Sequence, residues 1–163
     1  MPEPVPAYIG LGSNLSDPIA QLRAALAALG RLPSSRLVAV SRMYRNPPMG
    51  PADQPDYVNA VARLDTELSP RALLEALLGI EQAQGRVRDG ERWGPRTLDL
   101  DLLVYGRSRL EEPGLTVPHP GLPARGFVLY PLREIAPELD VPGMGPVAAL
   151  CAQCPDDGLI PLD

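Results

Sequence analysis

The segment that decides the fold alternates leucine with aspartate and reads Thr97-Leu98-Asp99-Leu100-Asp101-Leu102-Leu103-Val104-Tyr105. In a β-strand, successive side chains point to opposite faces of the sheet. We therefore predict a strand over Thr97–Tyr105 that turns its alternate leucines toward the core and places Asp99 and Asp101 together on the other face. The two carboxylates then start about 6–7 Å apart, because a strand rises roughly 3.3 Å per residue.

This aspartate pair is a candidate metal site. Close carboxylates repel each other, and a divalent cation between them removes the repulsion. Oxygen ligands without a nearby His or Cys favour Mg²⁺, and two carboxylates at this spacing can bridge two metal ions, as in phosphoryl transfer. On the pair alone, a solvated face of an edge strand is the stronger interpretation. Four upstream arginines, whose forked side chains bind phosphate oxygens, reverse that preference: Arg86, Arg88, Arg92 and Arg96.

Composition narrows the class of protein and its partners. A chain of 163 residues suits one domain, so we expect a single domain over residues 1–163. The net charge of −5 disfavours broad binding to nucleic acid or to anionic membranes. All 15 basic residues are arginine, which excludes lysine chemistry. We see neither a signal peptide nor an apolar stretch of membrane-spanning length, and we expect a cytoplasmic protein without a membrane partner.

The predicted elements follow the order strand, helix, strand, strand, helix, strand, which is typical of a ferredoxin-like βαββαβ sandwich of the α+β class. Asp17-Pro18 and Ser69-Pro70 are helix starts, each an N-cap followed by proline. We interpret Gly10–Asn14 as a turn after the first strand. The remaining predicted segments are strands Val5–Leu11, Leu37–Arg45 and Tyr57–Asp65, an added hairpin near Arg107–Glu112, a helix over Gly126–Ile135 interrupted by Pro131, and a C-terminal helical segment at Val147–Cys151.

Other candidate binding residues flank the aspartate strand. Tyr57 and Asn59 share a face at the start of their strand, which suits a flat heterocycle with hydrogen-bonding edges, although the pair alone is more typical of a structural role. The proline-rich segment Asn46–Asp56 is either a binding loop or an ordinary long turn. Trp93 lies among charged residues and suits a lid over a ligand. The two cysteines, Cys151 and Cys154, lack the further ligands of a zinc site, and we interpret them as reduced, partly buried thiols.

Several separated motifs resemble one family, the 6-hydroxymethyl-7,8-dihydropterin pyrophosphokinases of folate biosynthesis. The resemblance covers most of the chain, from about Ala7 to Leu139, and Arg-x-Gly-Pro-Arg-x-x-Asp-x-Asp at Arg92–Asp101 is its most specific part. The motifs are Tyr8–Asn14, Pro47–Asn59, Gln84–Arg88, Arg92–Leu103, Thr116–His119 and Arg125–Phe127.

The resemblance implies transfer of the terminal diphosphate of ATP to the hydroxymethyl group of the pterin, with AMP as the second product. It implies ATP as co-substrate and two Mg²⁺ ions held by Asp99 and Asp101. The implied catalytic residues are Arg86, Arg96, Asp99 and Asp101. The implied pterin-binding residues are Asn46, Pro47, Met49, Tyr57, Asn59, Trp93 and Phe127. The implied ATP-binding residues are Glu81, Arg86, Arg88, Arg92, Arg96, Leu102, Thr116, His119 and Arg125. Either a metal ion or Asp101 would activate the alcohol.

Two other functions compete with this one. Polymerase-type nucleotidyltransferases also place paired aspartates on a ferredoxin-like sheet, but this chain is short and acidic. A non-catalytic regulator that binds a pterin or nucleotide on the same fold would not need both the aspartate pair and the arginines. Two positions depart from the family pattern, Asn46 where many relatives carry Thr, and Pro120 where some carry an aromatic residue. We expect a monomer whose partners are its small-molecule substrates.

Overall fold

The computed structural model describes residues 3–14, 17–46, 57–84, 98–154 and 159–162. Within these ranges the chain forms four helices and ten strands. The helices are α1 (Pro18–Leu29), α2 (Pro70–Ala83), α3 (Gly126–Ile135) and α4 (Val147–Ala152), with a 3₁₀ turn at Leu122–Ala124. The strands are β1 (Val5–Ser13), β2 (Ser35–Val40), β3 (Met43–Asn46), β4 (Tyr57–Thr66), β5 (Asp99–Tyr105), β6 (Leu110–Glu112), β7 (Leu115–Val117), β8 (Asp140–Val141), β9 (Gly145–Pro146) and β10 (Ile160–Leu162).

Six of these strands form one antiparallel sheet in the order β10-β3-β4-β1-β5, with β2 also paired to β4. The two halves of the chain thus interleave, because β1 lies between β4 and β5. This arrangement confirms the predicted ferredoxin-like α+β fold. An added hairpin is also present, as β6 paired with β7, but it extends to Val117 instead of ending at Glu112 as predicted.

One face of the sheet is covered by α1 and α2, which begin where the capping residues predict. The Asp17 carboxylate accepts a hydrogen bond from the Ala20 N–H at 3.3 Å, and the Ser69 hydroxyl accepts one from the Ala72 N–H at 3.1 Å. Burial of each large apolar side chain stabilises this layer by about 1.5–3 kcal/mol. Alternate residues of the central strands form the core here: Ala7, Ile9, Leu11, Val58, Ala60, Ala62, Leu64, Leu98, Leu100 and Leu102.

The opposite face carries a second apolar cluster under α3 and α4. The predicted interruption of α3 at Pro131 is wrong, because the helix continues to Ile135. Proline removes one backbone donor from a helix; Pro131 is nevertheless buried within α3, next to Leu132 of the apolar cluster. Cys151 and Cys154 are buried thiols in this layer that form no disulfide, and burial raises the pKa of Cys151.

The predicted strand Leu37–Arg45 is wrong as a single element, because β2 and β3 are separated at Ser41. The Ser41 N–H donates to the Val61 carbonyl at 2.8 Å, but the Val61 N–H donates to the Ser41 hydroxyl at 2.9 Å. A side-chain oxygen thus replaces the backbone acceptor, and the regular ladder stops there.

The predicted turn at Gly10–Asn14 is also wrong, since β1 continues to Ser13. Gly10 and Gly12 are paired to β4 on one side and to β5 on the other. Two flanking strands therefore override the weak strand preference of glycine. No helix in the described ranges has the length and apolar character needed to cross a lipid bilayer.

Candidate active site

A cavity of ≈ 350 Å³ opens on the α3 side of the sheet, over the end of β1. Its floor is the backbone of β1 at Gly10–Gly12. The side chains around it come from β3, β4, β5 and the start of α3. The lining residues are Gly10, Leu11, Gly12, Asn46, Tyr57, Asn59, Ala60, Asp99, Asp101, Arg125, Phe127 and Val128.

Asp99 and Asp101 form one side of this cavity. They lie opposite Gly12 and Gly10 in the β1–β5 ladder, so both carboxylates stand on the face of the sheet that the sequence predicts. Neither is fully buried, and each lines the cavity. The Arg125 Nη1 atom lies 4.0 Å from Asp101 Oδ2, and both side chains remain partly exposed at 39% and 45%. At that exposure the pair stabilises the fold little, which leaves both groups able to respond to a charged ligand.

The donor set fits Mg²⁺ supplied together with a phosphate ligand. Among the described residues, no group of three or more His, Cys, Asp or Glu side chains could enclose a metal. Mg²⁺ typically binds through one or two carboxylates and completes its octahedron with water and substrate phosphates. The pair Asp99 and Asp101 supplies that number of protein ligands.

Glu81 supports this strand from beneath. Its side chain is 3% exposed, and its carboxylate accepts a hydrogen bond from the Leu100 N–H at 2.7 Å. Leu100 lies between the two aspartates, so the last turn of α2 is fixed to the backbone that carries them. The structure thus places Glu81 against β5 and outside the lining of the cavity.

His119 and Arg125 approach the cavity from the segment that leads into α3. The His119 N–H donates to the Leu103 carbonyl at 2.8 Å, which ties this segment to β5. The Gly121 N–H donates to His119 Nδ1 at 3.0 Å, so the neutral imidazole carries its proton on Nε2. A Cβ atom on Gly121 would lie 2.8 Å from Arg125 Nε and 3.2 Å from His119 Cε1. Glycine at this position therefore lets both side chains pack against the loop.

The pKa of His119 lies below its ordinary value. Burial is the main cause, since it disfavours the charged imidazolium, and the positive charge of Arg125 adds to the effect. The Asp101 carboxylate acts in the opposite direction, toward a higher pKa. The net result is a neutral imidazole at pH 7 that can donate a hydrogen bond from Nε2.

The other side of the cavity combines aromatic and amide side chains. Tyr57 begins β4, and Phe127 lies in the first turn of α3; both line the cavity. Asn46 and Asn59 are 5% and 6% exposed, and the Asn59 Nδ2 atom donates to Asn46 Oδ1. A flat ligand here would meet ring faces and an amide-lined edge.

Besides Glu81 and His119, which do not line this cavity themselves, two further predicted nucleotide residues lie outside its lining. Leu102 is 5% exposed and packs in the core on the face of β5 that α1 and α2 cover. Thr116 is exposed on β7 and lines a second cavity of ≈ 520 Å³ together with Arg109 and Met144. Other predicted site residues lie outside the described ranges: Pro47, Met49, Arg86, Arg88, Arg92, Trp93 and Arg96.

Sequence reasoning missed the floor of the cavity. Gly10 and Gly12 line it, although the sequence predicts a turn at Gly10–Asn14. The usable signal was the spacing of two residues, which places both glycines on one face of a strand. Val128 was missed as well, since it forms part of an ordinary apolar helix pattern.

Taken together, the fold and the cavity define a class: an α+β sandwich enzyme domain with a carboxylate pair facing an aromatic, amide-lined pocket. The family model for 7,8-dihydro-6-hydroxymethylpterin-pyrophosphokinase (HPPK) matches residues 8–137. The chain belongs to this family.

Individual relatives agree with the family match. The 2-amino-4-hydroxy-6-hydroxymethyldihydropteridine pyrophosphokinase of Pseudomonas aeruginosa is 56% identical over 93% of this chain and 93% of its own length. The protein of the same name from Haemophilus influenzae is 50% identical over 98% of this chain and 99% of its own.

Solved structures support the fold. A crystal structure of Plasmodium falciparum HPPK-DHPS, wild type with pteroate, superposes with a TM-score of 0.74 at 12% identity. The match covers 94% of the present chain but 45% of that longer chain. At this identity the likeness concerns the fold alone.

Proposed function

We propose that this cavity transfers the terminal diphosphate of ATP to the hydroxymethyl group of 6-hydroxymethyl-7,8-dihydropterin, giving the pterin diphosphate and AMP in folate biosynthesis. Membership of the pyrophosphokinase family supports the activity. One structural observation supports its location. Gly12 lies between Asn59 on β4 and Asp99 on β5, so an amide for a heterocycle and a carboxylate for a metal face one cavity.

The heterocycle would bind between Tyr57 and Phe127. Aromatic rings favour stacked partners, and the two side chains come from separate elements on the same cavity. The Asn59 side chain and backbone groups at Asn46 would form hydrogen bonds with the polar edge of the pterin. The contributions of Pro47, Met49 and Trp93 remain predictions from the sequence.

Asp99 and Asp101 would hold two Mg²⁺ ions together with the ATP phosphates. When bound, these ions neutralise charge on the transferring diphosphate. Arg125, close to Asp101, would bind a phosphate oxygen. In ATP binding, His119 would donate a hydrogen bond from the Nε2 atom of its neutral imidazole. Glu81 would act by holding β5, as its bond to Leu100 indicates.

Further nucleotide contacts remain predictions from the sequence, because those side chains either lie outside the described ranges or line no part of this cavity. They are Arg86, Arg88, Arg92, Arg96, Leu102 and Thr116. Of these, Arg86 and Arg96 are the proposed catalytic arginines.

In the proposed reaction the hydroxymethyl oxygen attacks the β-phosphorus of ATP. A new P–O bond forms, the bond from the β-phosphorus to the oxygen that bridges it to the α-phosphorus breaks, and AMP leaves with that oxygen. The hydroxyl proton is released in the same step. The residues contribute mainly position and charge, which is typical of phosphoryl transfer.

Three accompanying predictions come from the sequence. The chain would act as one domain, a proposal supported by the single sheet that both helical layers share. A monomer and a cytoplasmic location stay predictions.

Product analysis tests the proposal. Purified protein is mixed with ATP, Mg²⁺ and 6-hydroxymethyl-7,8-dihydropterin, and nucleotides and pterins are separated by chromatography. We expect AMP and pterin diphosphate in equal amounts. ADP would indicate single-phosphoryl transfer instead. Bound pterin with neither product would favour the non-catalytic regulator.

A further inference from the structure

The amide side chains of Asn46 and Asn59 form a buried pair beside the cavity. Asn46 ends β3 and Asn59 lies near the start of β4, where the ladder places Asn46 opposite Tyr57 and Asn59 opposite Tyr44. The two asparagines are therefore diagonal neighbours across the strands. The Asn59 Nδ2 atom donates to Asn46 Oδ1, and both residues are at least 94% buried, with exposures of 6% and 5%.

We propose that Asn46 is a positioning residue for Asn59, and that its side-chain oxygen fixes the direction in which Asn59 presents its amide to the pterin. This inference rests on the proposed function, because it assumes that Asn59 reads the heterocycle. It assigns to the Asn46 side chain a role separate from any contact of its backbone.

The direction of the Asn59 amide is constrained from both sides. Its nitrogen is directed to Asn46 on β3. Its oxygen lies on the side of β1, where a Cβ atom on Gly12 would come within 2.9 Å of Asn59 Oδ1. A rotation by half a turn would place two carbonyl oxygens against each other at the β3 contact. Inside a protein such an unsatisfied, repulsive pair is disfavoured.

The consequence for recognition follows from the donors of a primary amide. Asn59 Nδ2 carries two N–H groups, and Asn46 takes one of them. Among the described residues, this arrangement leaves the second N–H and the Oδ1 atom to face a ligand. A donor and an acceptor on one planar group match a heterocycle edge that offers an acceptor next to a donor. An amide that rotates freely would not distinguish that edge from one in which the donor and the acceptor are exchanged.

The test compares two uncharged variants at position 46. Asn46→Leu removes the acceptor, whereas Asn46→Thr keeps a side-chain oxygen that can accept a hydrogen bond. Pterin affinity is measured by calorimetry on the full chain with Mg²⁺ and a non-hydrolysable ATP analogue, and KM and kcat are measured separately. We expect Asn46→Leu to weaken pterin binding about 10- to 100-fold with kcat little changed. Asn46→Thr should retain more of the pterin affinity than Asn46→Leu, because its hydroxyl oxygen can accept from Asn59 without adding a charge.

A double-mutant cycle separates an indirect role from a direct one. If Asn46 acts through Asn59, then Asn46→Leu should weaken binding little further in an Asn59→Ala background. An undiminished loss in that background would overturn the inference, as would an Asn46→Thr variant as weak as Asn46→Leu. Wild-type affinity in Asn59→Ala would overturn the proposed pterin site as well. A loss in Asn59→Ala with none in Asn46→Leu would overturn the positioning role alone.

Controls address folding. Ser41→Ala also removes a hydrogen bond to β4, the one that Val61 donates to the segment between β2 and β3, but it touches neither asparagine. It should lower the thermal midpoint and leave pterin affinity at the wild-type value. If Asn46→Leu does not fold, Asn46→Ala removes the side-chain acceptor with a smaller side chain and takes its place in the cycle.

Discussion

Gly12 makes room for the side-chain amide of Asn59: a Cβ atom at Gly12 would lie 2.9 Å from Asn59 Oδ1. Real Cβ contacts are almost never this short, so the amide or the strand would have to move. Gly12 also lies opposite Asp99 in the neighbouring strand. Because glycine has no side chain, nothing at this position separates the amide side of the cavity from its carboxylate side.

Gly12→Ala should therefore impair pterin binding more than it impairs folding. We expect the displaced Asn59 amide to raise the pterin KM about 10-fold or more, since a mispositioned buried hydrogen-bonding group loses on the order of 1–3 kcal/mol. Steady-state kinetics and thermal unfolding check this together. Gly10→Ala is the comparison, because its Cβ would meet the Leu103 side chain at an ordinary 3.4–3.6 Å. Equal losses in the two variants would contradict the explanation.

Asp99→Asn should abolish most of the Mg²⁺-dependent turnover while the fold remains intact. Loss of one charged ligand removes several kcal/mol of charge stabilisation, or about 1,000-fold in the rate of AMP formation. Pterin affinity should change only a few-fold, because Asp99 lies across Gly12 from Asn59. Asp140→Asn, at an exposed position of β8, is the matched control and should retain wild-type turnover. A residual rate above a tenth of wild type would argue against a metal role for Asp99.

Local patterns predicted the helices and the aspartate face because their causes are local. The Asp17-Pro18 and Ser69-Pro70 caps act within one helical turn, and the alternation around Asp99 is fixed by the two-residue period of a strand. The aromatic and amide residues of the site were predicted from a heterocycle's chemistry and from the family resemblance.

Features that depend on partners distant in sequence were not predictable in the same way. The Ser41 hydroxyl stops a ladder only because Val61 lies opposite. The contact between Asn46 and Asn59 requires the β3–β4 register, which is set by pairing between two strands that are ten residues apart in the sequence. Strand β10 joins the sheet at β3 from a tail whose sequence is dominated by turn-forming residues. In each case tertiary pairing, rather than local propensity, decides the outcome.

His119 gives a prediction about pH, because it is the single histidine of the chain. Its pKa is lowered by burial and by Arg125, so the unfolded state takes up a proton at a higher pH than the folded state. Stability of the ligand-free protein should fall as pH drops below about 6.5, the ordinary histidine value. Its imidazole NMR signal should titrate below that value.

His119→Asn supplies the control for this titration. The asparagine oxygen can still accept the Gly121 N–H that His119 Nδ1 accepts, but it does not titrate. Urea unfolding at pH 7 and pH 5 should show a smaller loss of stability in this variant than in wild type. An imidazole midpoint at or above 6.5 would refute the predicted direction.

The far end of α3 is fixed to the sheet by Glu134. The Tyr44 hydroxyl donates to Glu134 Oε1, and the Arg42 backbone N–H donates to Glu134 Oε2 at 2.8 Å. Tyr44 is 7% exposed, whereas the Arg42 side chain is 57% exposed. Because α3 also carries Phe127 into the cavity, this contact stabilises the helix that forms one wall of the site.

Tyr44→Phe should cost about 1.5–3 kcal/mol of unfolding free energy, the usual contribution of a hydrogen bond to a charged group. Arg42→Ala should change the urea midpoint little, because its side-chain ion pair is exposed. Burial, and then the bond to Glu134, raise the pKa of Tyr44. The difference in unfolding free energy between wild type and Tyr44→Phe should therefore be largest below about pH 10. It should decline as pH rises through the raised pKa of Tyr44. Urea unfolding of wild type and Tyr44→Phe from pH 7 to pH 11 measures this. A stability difference that stays constant or grows above pH 10 would show that the Tyr44 proton does not bind Glu134.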